Sequence, residues 1–189
     1  MCAAVLWRGC AAEPEKWPDV GMGQRTAERV RAGKRAARQI ACGVCEERVL
    51  SLFPEGGDAD AIDHFIEGGS LVESLGDAKA LCAMKALANL FRARRLDIAT
   101  RGGGSAALAK TEDPPFYEDI NTSELAFHWK SFALQHACQE TFRRDGEAVA
   151  QAVQEGYAGG DAGSQPQKRL VTAVGAACRR ARSCRAAAR

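Results

Sequence analysis

The sequence predicts an all-α domain that is stapled by disulfides and carries one Gly/Pro-rich insertion. Three observations predict it. Apolar residues recur at three- and four-residue steps through most of the chain. Cysteine is enriched and even in number, at eight, and six of the eight fall in or beside a helical pattern. Glycine and proline cluster at a few boundaries instead of being scattered.

At 189 residues the chain is long enough to bury a core, but its 46% hydrophobic content leans on alanine more than on large side chains. A modest core gains from covalent staples, and loss of a native disulfide from a small secreted domain costs about 2–5 kcal/mol. The net charge of +2 gives no global field toward nucleic acid or an acidic membrane. Positive charge collects between Arg25 and Arg38 and from Arg179 to Arg189. Neither stretch interleaves the aromatic rings that grip single strands, so both read as solvated helix faces and no nucleic-acid partner is expected. Nothing approaches the roughly 18 apolar residues of a membrane span. The run Ala3-Ala4-Val5-Leu6-Trp7 is too brief for a secretory h-region, so the sequence displays no clear leader.

Residues 1–23, with Pro14, Pro18, Gly21 and Gly23 and no periodicity, read as a flexible leader that holds Cys2 and Cys10. A helical pattern then runs from about Gln24 to Phe53 through Ala37, Ile40, Ala41, Val44, Cys45, Val49 and Leu52, and Pro54-Glu55-Gly56-Gly57 stops it. Cys42 and Cys45 lie about one turn apart on one side of this helix. Asp58 is placed to cap a short helix with the apolar strip Ala61, Ile62, Phe65 and Ile66, which ends at Gly68-Gly69-Ser70. A third helical stretch spans about Leu71 to Leu96 with Cys82 on its apolar side.

The helix signal fails across the insertion, 97–121, where Gly102-Gly103-Gly104 and Pro114-Pro115 are breakers and Leu96–Thr100 alternates weakly enough for a short extended piece. The segment reads as an exposed loop, and Phe116 and Tyr117 within it are candidate anchors for a partner. Asn121 or Thr122 opens a long helix that continues to Tyr157 with Cys138 on its apolar face. Asn121-Thr122-Ser123 matches the N-glycosylation acceptor triplet, and the plainer reading of the same residues is a helix cap. The last helix starts at Gln165-Pro166 and carries Leu170, Val171, Val174, Ala177 and Cys178, ahead of Cys184 and a basic tail over 185–189.

Chemistry at the cysteines has three readings. Six cysteines allow roughly 15 disulfide connectivities, and two of these rivet the first helix to the last by two bridges while Cys82 takes Cys138. A thioredoxin-like redox centre would use Cys42-Gly43-Val44-Cys45, but that motif follows a strand and starts a helix, whereas Arg35–Ile40 continue a helix here. A zinc site of Cys42, Cys45, Cys178 and Cys184 wants tighter ligand pairs than the spacing of the last two, and His64, His128 and His136 show no ligand spacing. No catalytic residue, no metal and no cofactor is expected, and no nucleophile triad, P-loop or dinucleotide-binding glycine pattern is present.

Four stretches resemble the canopy family: Cys42-Gly43-Val44-Cys45-Glu46, Leu81-Cys82, Phe132–Glu140 around Cys138, and the ending Val174–Cys184. The same order of six cysteines is similar to saposin B-type domains in general. The resemblance covers about Ala41 to Cys184 and rests on cysteine order and local context. It implies a saposin-like fold over about 24–184 with the nested pairing Cys42 to Cys184, Cys45 to Cys178 and Cys82 to Cys138. It also implies a non-catalytic protein of the endoplasmic reticulum lumen or a secreted one, which binds client proteins of the secretory pathway and assists the folding of cell-surface receptors. Two alternatives stand beside it, a saposin-type lipid binder and a thiol-disulfide oxidoreductase using the CxxC. Canopy proteins usually begin with a signal peptide and often end in a retention tetrapeptide, whereas this sequence ends Arg185-Ala186-Ala187-Ala188-Arg189.

Overall fold

A computed structural model describes residues 27–54, 59–101, 105–112, 128–161 and 163–187. These residues form a mostly helical domain with one small sheet. The elements in chain order are α1 (Ala27–Leu50), α2 (Ala59–Glu67), α3 (Ser70–Gly76), α4 (Ala78–Leu81), α5 (Met84–Ala93), β1 (Leu96–Arg101), β2 (Ser105–Lys110), α6 (Trp129–Ala158), α7 (Pro166–Arg180) and α8 (Arg182–Ala187). The centre is a layer of three helices in which α1 runs along α6 and α6 along α7, with α3 laid on α6 and α8 closing against α1.

The periodicity of α1 does what its spacing predicts. Ala36, Ala37, Ile40, Ala41, Val44, Cys45 and Val49 are buried on one face, while Arg31, Lys34, Arg35, Arg38 and Gln39 are exposed. Small residues on that stripe let α1 and α6 approach closely, and α6 answers with Ala133, Ala137 and Ala150. Larger side chains fill what the alanines leave. Leu71, Leu75, Leu87, Phe91, Leu134 and Leu170 are all 0–1% exposed, and full burial of such a side chain is worth roughly 1.5–3 kcal/mol.

Several boundaries differ from the sequence reading. The stretch expected as one helix from Leu71 to Leu96 is divided into α3, α4 and α5. The division falls at Asp77, whose backbone leaves the helical region and whose Oδ1 accepts the Ala80 N–H at 3.0 Å, so it caps α4 instead of continuing α3. A second break at Cys82 and Ala83 leads into α5. The long helix begins at Trp129, not near Asn121, because His128 is extended (φ −75°, ψ 134°) and its Nδ1 accepts the Lys130 N–H at 3.2 Å. Asp58, Asn121 and Thr122 lie outside the described residues. On α2 the buried strip is Ile62 and Ile66, with Ala61 turned to solvent. On α7 the residue expected in the core, Val171, is 48% exposed.

The insertion also differs. In place of an exposed loop, its first part is an antiparallel hairpin with Leu96 opposite Lys110 and Ile98 opposite Leu108. Ile98 and Ala106 are buried, and Leu108 packs against the core on α1. Gln39 of α1 accepts the Ala106 N–H through its Oε1, and Lys130 of α6 bonds Asp97 at 2.9 Å. The hairpin is thus tied to both central helices. Its entry is set by Arg95, a non-glycine residue at φ 52° that ends α5 and whose guanidinium donates to the Glu112 carbonyl at 2.6 Å. The weak alternation of Leu96–Thr100 hides this element because the inward face is short, Leu96 and Ile98 on β1 with Ala106 and Leu108 on β2, and the exposed Ala99 and Ala107 stand on the other.

Candidate functional site

The densest chemistry in the fold is the cysteine framework that fastens the helix ends. α1 presents Cys42 and Cys45 deep in its second half, where Ile40, Val44 and Val49 fix the face that turns inward. α7 and α8 bring Cys178 and Cys184 back along that face. The structure joins Cys42 to Cys184 and Cys45 to Cys178, with Cα atoms 5.0 and 5.8 Å apart, and Cys82 to Cys138 with Cα atoms 5.6 Å apart. These separations lie within the span of an unforced disulfide. The first two bridges clamp α1 to the C-terminal helices, and the third ties the α4–α5 junction to α6.

The environments of the three bridges are unequal. Cys45, Cys82, Cys138 and Cys178 are 0% exposed, and Cys184 is buried, whereas Cys42 is half-buried. All six cysteines among the described residues are engaged, so this set presents no thiol as nucleophile or metal ligand. Cys42 and Cys45 are partnered across helices and not with each other. Among the described residues no group of three or more histidine, cysteine or acidic side chains is placed to hold a metal ion. His64 is exposed, His128 is buried beside the Trp129 ring, and His136 is half-buried and stacked on Phe132 with ring centroids 5.5 Å apart. Phe116, Tyr117, Asn121, Cys2 and Cys10 lie outside the described residues.

Around the bridges the fold leaves a groove of about 310 Å³ between α1, α6 and α8, floored by Ala37, Ala41 and Ala137 and rimmed by Arg38, His136, Glu140, Arg144 and Arg182. Burial pushes the His136 imidazole below its ordinary range, with Lys34 and Arg38 pushing the same way and Glu140 opposing. Glu46, beside the two bridges, is held above the usual carboxylate range, chiefly by burial, against the pull of Arg179 at 4.0 Å.

Sequence reasoning missed this groove because it treats the two basic stretches as separate faces. The signal was available in the cysteines: once Cys42 is joined to Cys184, residues just before each of them become neighbours, and those residues include Arg38 and Arg182.

No helix among the described residues is long and apolar enough to cross a membrane, and three disulfides fit an oxidising compartment, as in secreted or lumenal proteins. Comparison with protein-family models, with curated proteins and with solved structures gives no match, so the likeness to canopy and saposin-type domains rests on cysteine order and local residue context.

Proposed function

We propose that the chain is a non-catalytic chaperone or adaptor of the secretory pathway, in the endoplasmic reticulum lumen or outside the cell, that holds client proteins on the surface of a disulfide-fastened helical scaffold. The observation that carries this reading is the use of the cysteines. Both members of the CxxC are committed to bridges between separate helices, one of them 0% exposed, which supports a role in rigidity over one in thiol exchange. A rigid scaffold lowers the ordering cost of gripping a flexible client, which favours recognition over chemistry.

The test is aggregation of an unfolded secretory protein, reduced α-lactalbumin, followed by light scattering with and without the oxidised chain. Delayed scattering at equimolar chain supports the reading, and scattering unchanged by excess chain refutes it. Organic extraction of the same preparation discriminates the lipid-binding alternative, since a stoichiometric copurifying lipid found by mass spectrometry would replace the client-binding reading. Turnover of a disulfide substrate that a Cys42→Ser change abolishes would replace it with the oxidoreductase.

A further inference from the structure

We infer that the groove between α1, α6 and α8 is a docking site for an acidic peptide segment, gripped by Arg38, Arg144 and Arg182 over an alanine floor. This inference rests on the client-binding reading above and names the chemistry of the segment that the scaffold holds.

The argument starts from charge. The chain as a whole carries only +2, yet the fold carries Arg38 of the first basic stretch to Arg182 of the last, across 144 positions of sequence, and sets Arg144 of α6 on the same rim. Lys34 and Arg38 both act on His136 from α1. The carboxylates nearest the groove are engaged by two of its own arginines, each of which keeps further N–H donors for a ligand. Glu140 pairs with Arg144 one helical turn away at 3.2 Å. Asp145 accepts the Arg182 backbone N–H at 2.7 Å and stands 3.7 Å from its Nε. The groove's lining thus carries three guanidinium groups, those of Arg38, Arg144 and Arg182, against one carboxylate, Glu140. Arg182 also lines a neighbouring groove with Arg180, Arg185 and Asp145, three cations to one carboxylate, so the positive surface continues from the end of α7 along α8.

Shape and composition select the ligand. The groove is concave and floored by methyl groups of Ala37, Ala41 and Ala137, which suit the aliphatic stems of glutamate and aspartate, while guanidinium forks at the rim match carboxylates in bidentate geometry. Its lining includes no Phe, Tyr or Trp on which a base would stack, which argues against nucleic acid. A concave site between helices suits an extended peptide better than the flat surface of a bilayer. Ser183, bonded to Thr141 at 2.7 Å, completes the wall beside the Cys42–Cys184 bridge and fixes α8 in place.

The experiment measures fluorescence anisotropy of a labelled oligo-glutamate decapeptide with the full oxidised chain at low ionic strength. An Arg38→Glu/Arg182→Glu variant is compared with Lys85→Glu/Lys168→Glu, which makes the same change of net charge at exposed positions outside this groove. The site predicts that the first variant weakens binding by about tenfold or more and the second by less than about threefold. Arg38→Gln alone, at an exposed position that keeps the Asp145 contact intact, serves if the double variant fails to fold, and predicts weakening of about threefold.

Equal loss in the two double variants, no binding by the unaltered chain, or preference for phosphatidylserine vesicles over the peptide would overturn the site. The peptide assay contains no client, so the two proposals fail separately. Suppression of α-lactalbumin aggregation that survives in Arg38→Glu/Arg182→Glu removes the groove and spares the chaperone reading. Absence of suppression with groove-dependent peptide binding removes the chaperone reading and supports the groove.

Discussion

Gly146 of α6 stands directly against the backbone carbonyl of Leu75 at the end of α3, so close that a Cβ at position 146 would overlap the carbonyl oxygen. In an exposed helix, alanine in place of glycine gains about 1 kcal/mol. Here the obstacle is backbone, which cannot rotate aside, and Leu75 itself is 0% exposed and anchors α3 in the core. Gly146→Ala is therefore expected to destabilise the domain by about 1–3 kcal/mol, the range of overpacked cores. A urea midpoint equal to or above that of the unaltered chain would refute the contact.

Gly43, inside the CxxC, makes the contrasting case. A Cβ there would stand 3.0 Å from Cδ1 of Leu108, the tip of a flexible and half-buried side chain on β2. Leu108 can turn away at the cost of part of its packing, and that cost offsets the helical gain. Gly43→Ala is expected to fall within about 1 kcal/mol of the starting stability. Thermal unfolding of the oxidised protein checks it, and a loss comparable to that of Gly146→Ala would show that the hairpin is held rigidly on α1.

The two bridges at the C-terminal helices are predicted to be strongly non-additive. With Cys45–Cys178 in place, Cys42–Cys184 closes a further ring of only about 11 residues, and the converse holds. In chain-entropy terms, removing either bridge as a paired Ser variant costs about 3 kcal/mol. Removing the second then opens a loop spanning 133 or 142 positions and costs about 5 kcal/mol more. Denaturant titration of the three variants reads the difference, and equal increments would contradict the nested arrangement.

The helical class was legible because a three-to-four residue period survives in α1, α6 and α7 regardless of tertiary context. The division at Asp77 was less so: the apolar pattern runs on through it, and the break shows only as a Gly76-Asp77 pair that helices sometimes tolerate. The hairpin was hidden for a related reason. Ala99, Ala106, Ala107 and Ala109 carry little β signal, and what holds β1 and β2 is the distant Gln39 and Lys130, which no local window contains. Cysteine spacing restricted the connectivities without choosing among them. The basic groove, which depends on residues from three helices meeting, was invisible to any reading that took the charged stretches one at a time.

Asp145 is 8% exposed and receives the Arg182 N–H at the first turn of α8, so it locks the terminal helix in place before Cys184 is reached. A hydrogen bond to a charged group is worth about 1.5–3 kcal/mol. Asp145→Ala is expected to cost about that much, while Asp145→Asn, which keeps an acceptor oxygen, should cost roughly half. Hydrogen exchange localises the effect: the amides of Arg182 and Ser183 should lose protection well before those of α7. Unchanged protection in Asp145→Ala would mean that the Cys42–Cys184 bridge alone holds α8.

His136 gives the fold a dependence on pH whose sign follows from its surroundings. Burial lowers its pKa below the ordinary 6.5, Lys34 and Arg38 of α1 lower it further, and Glu140 one turn along α6 opposes them; Arg144 and Arg182 line the same groove. The unfolded chain therefore takes up a proton at this residue before the folded one does. Stability is fully present above about pH 6.5 and is lost as pH falls toward the depressed folded value, below which no further loss arises from this group. Urea midpoints at pH 7.5 and pH 5.5 should fall more for the unaltered chain than for His136→Gln, which lacks the titrating ring but fills a similar volume. Identical pH slopes in the two proteins would show that His136 is as free to protonate in the folded domain as in water.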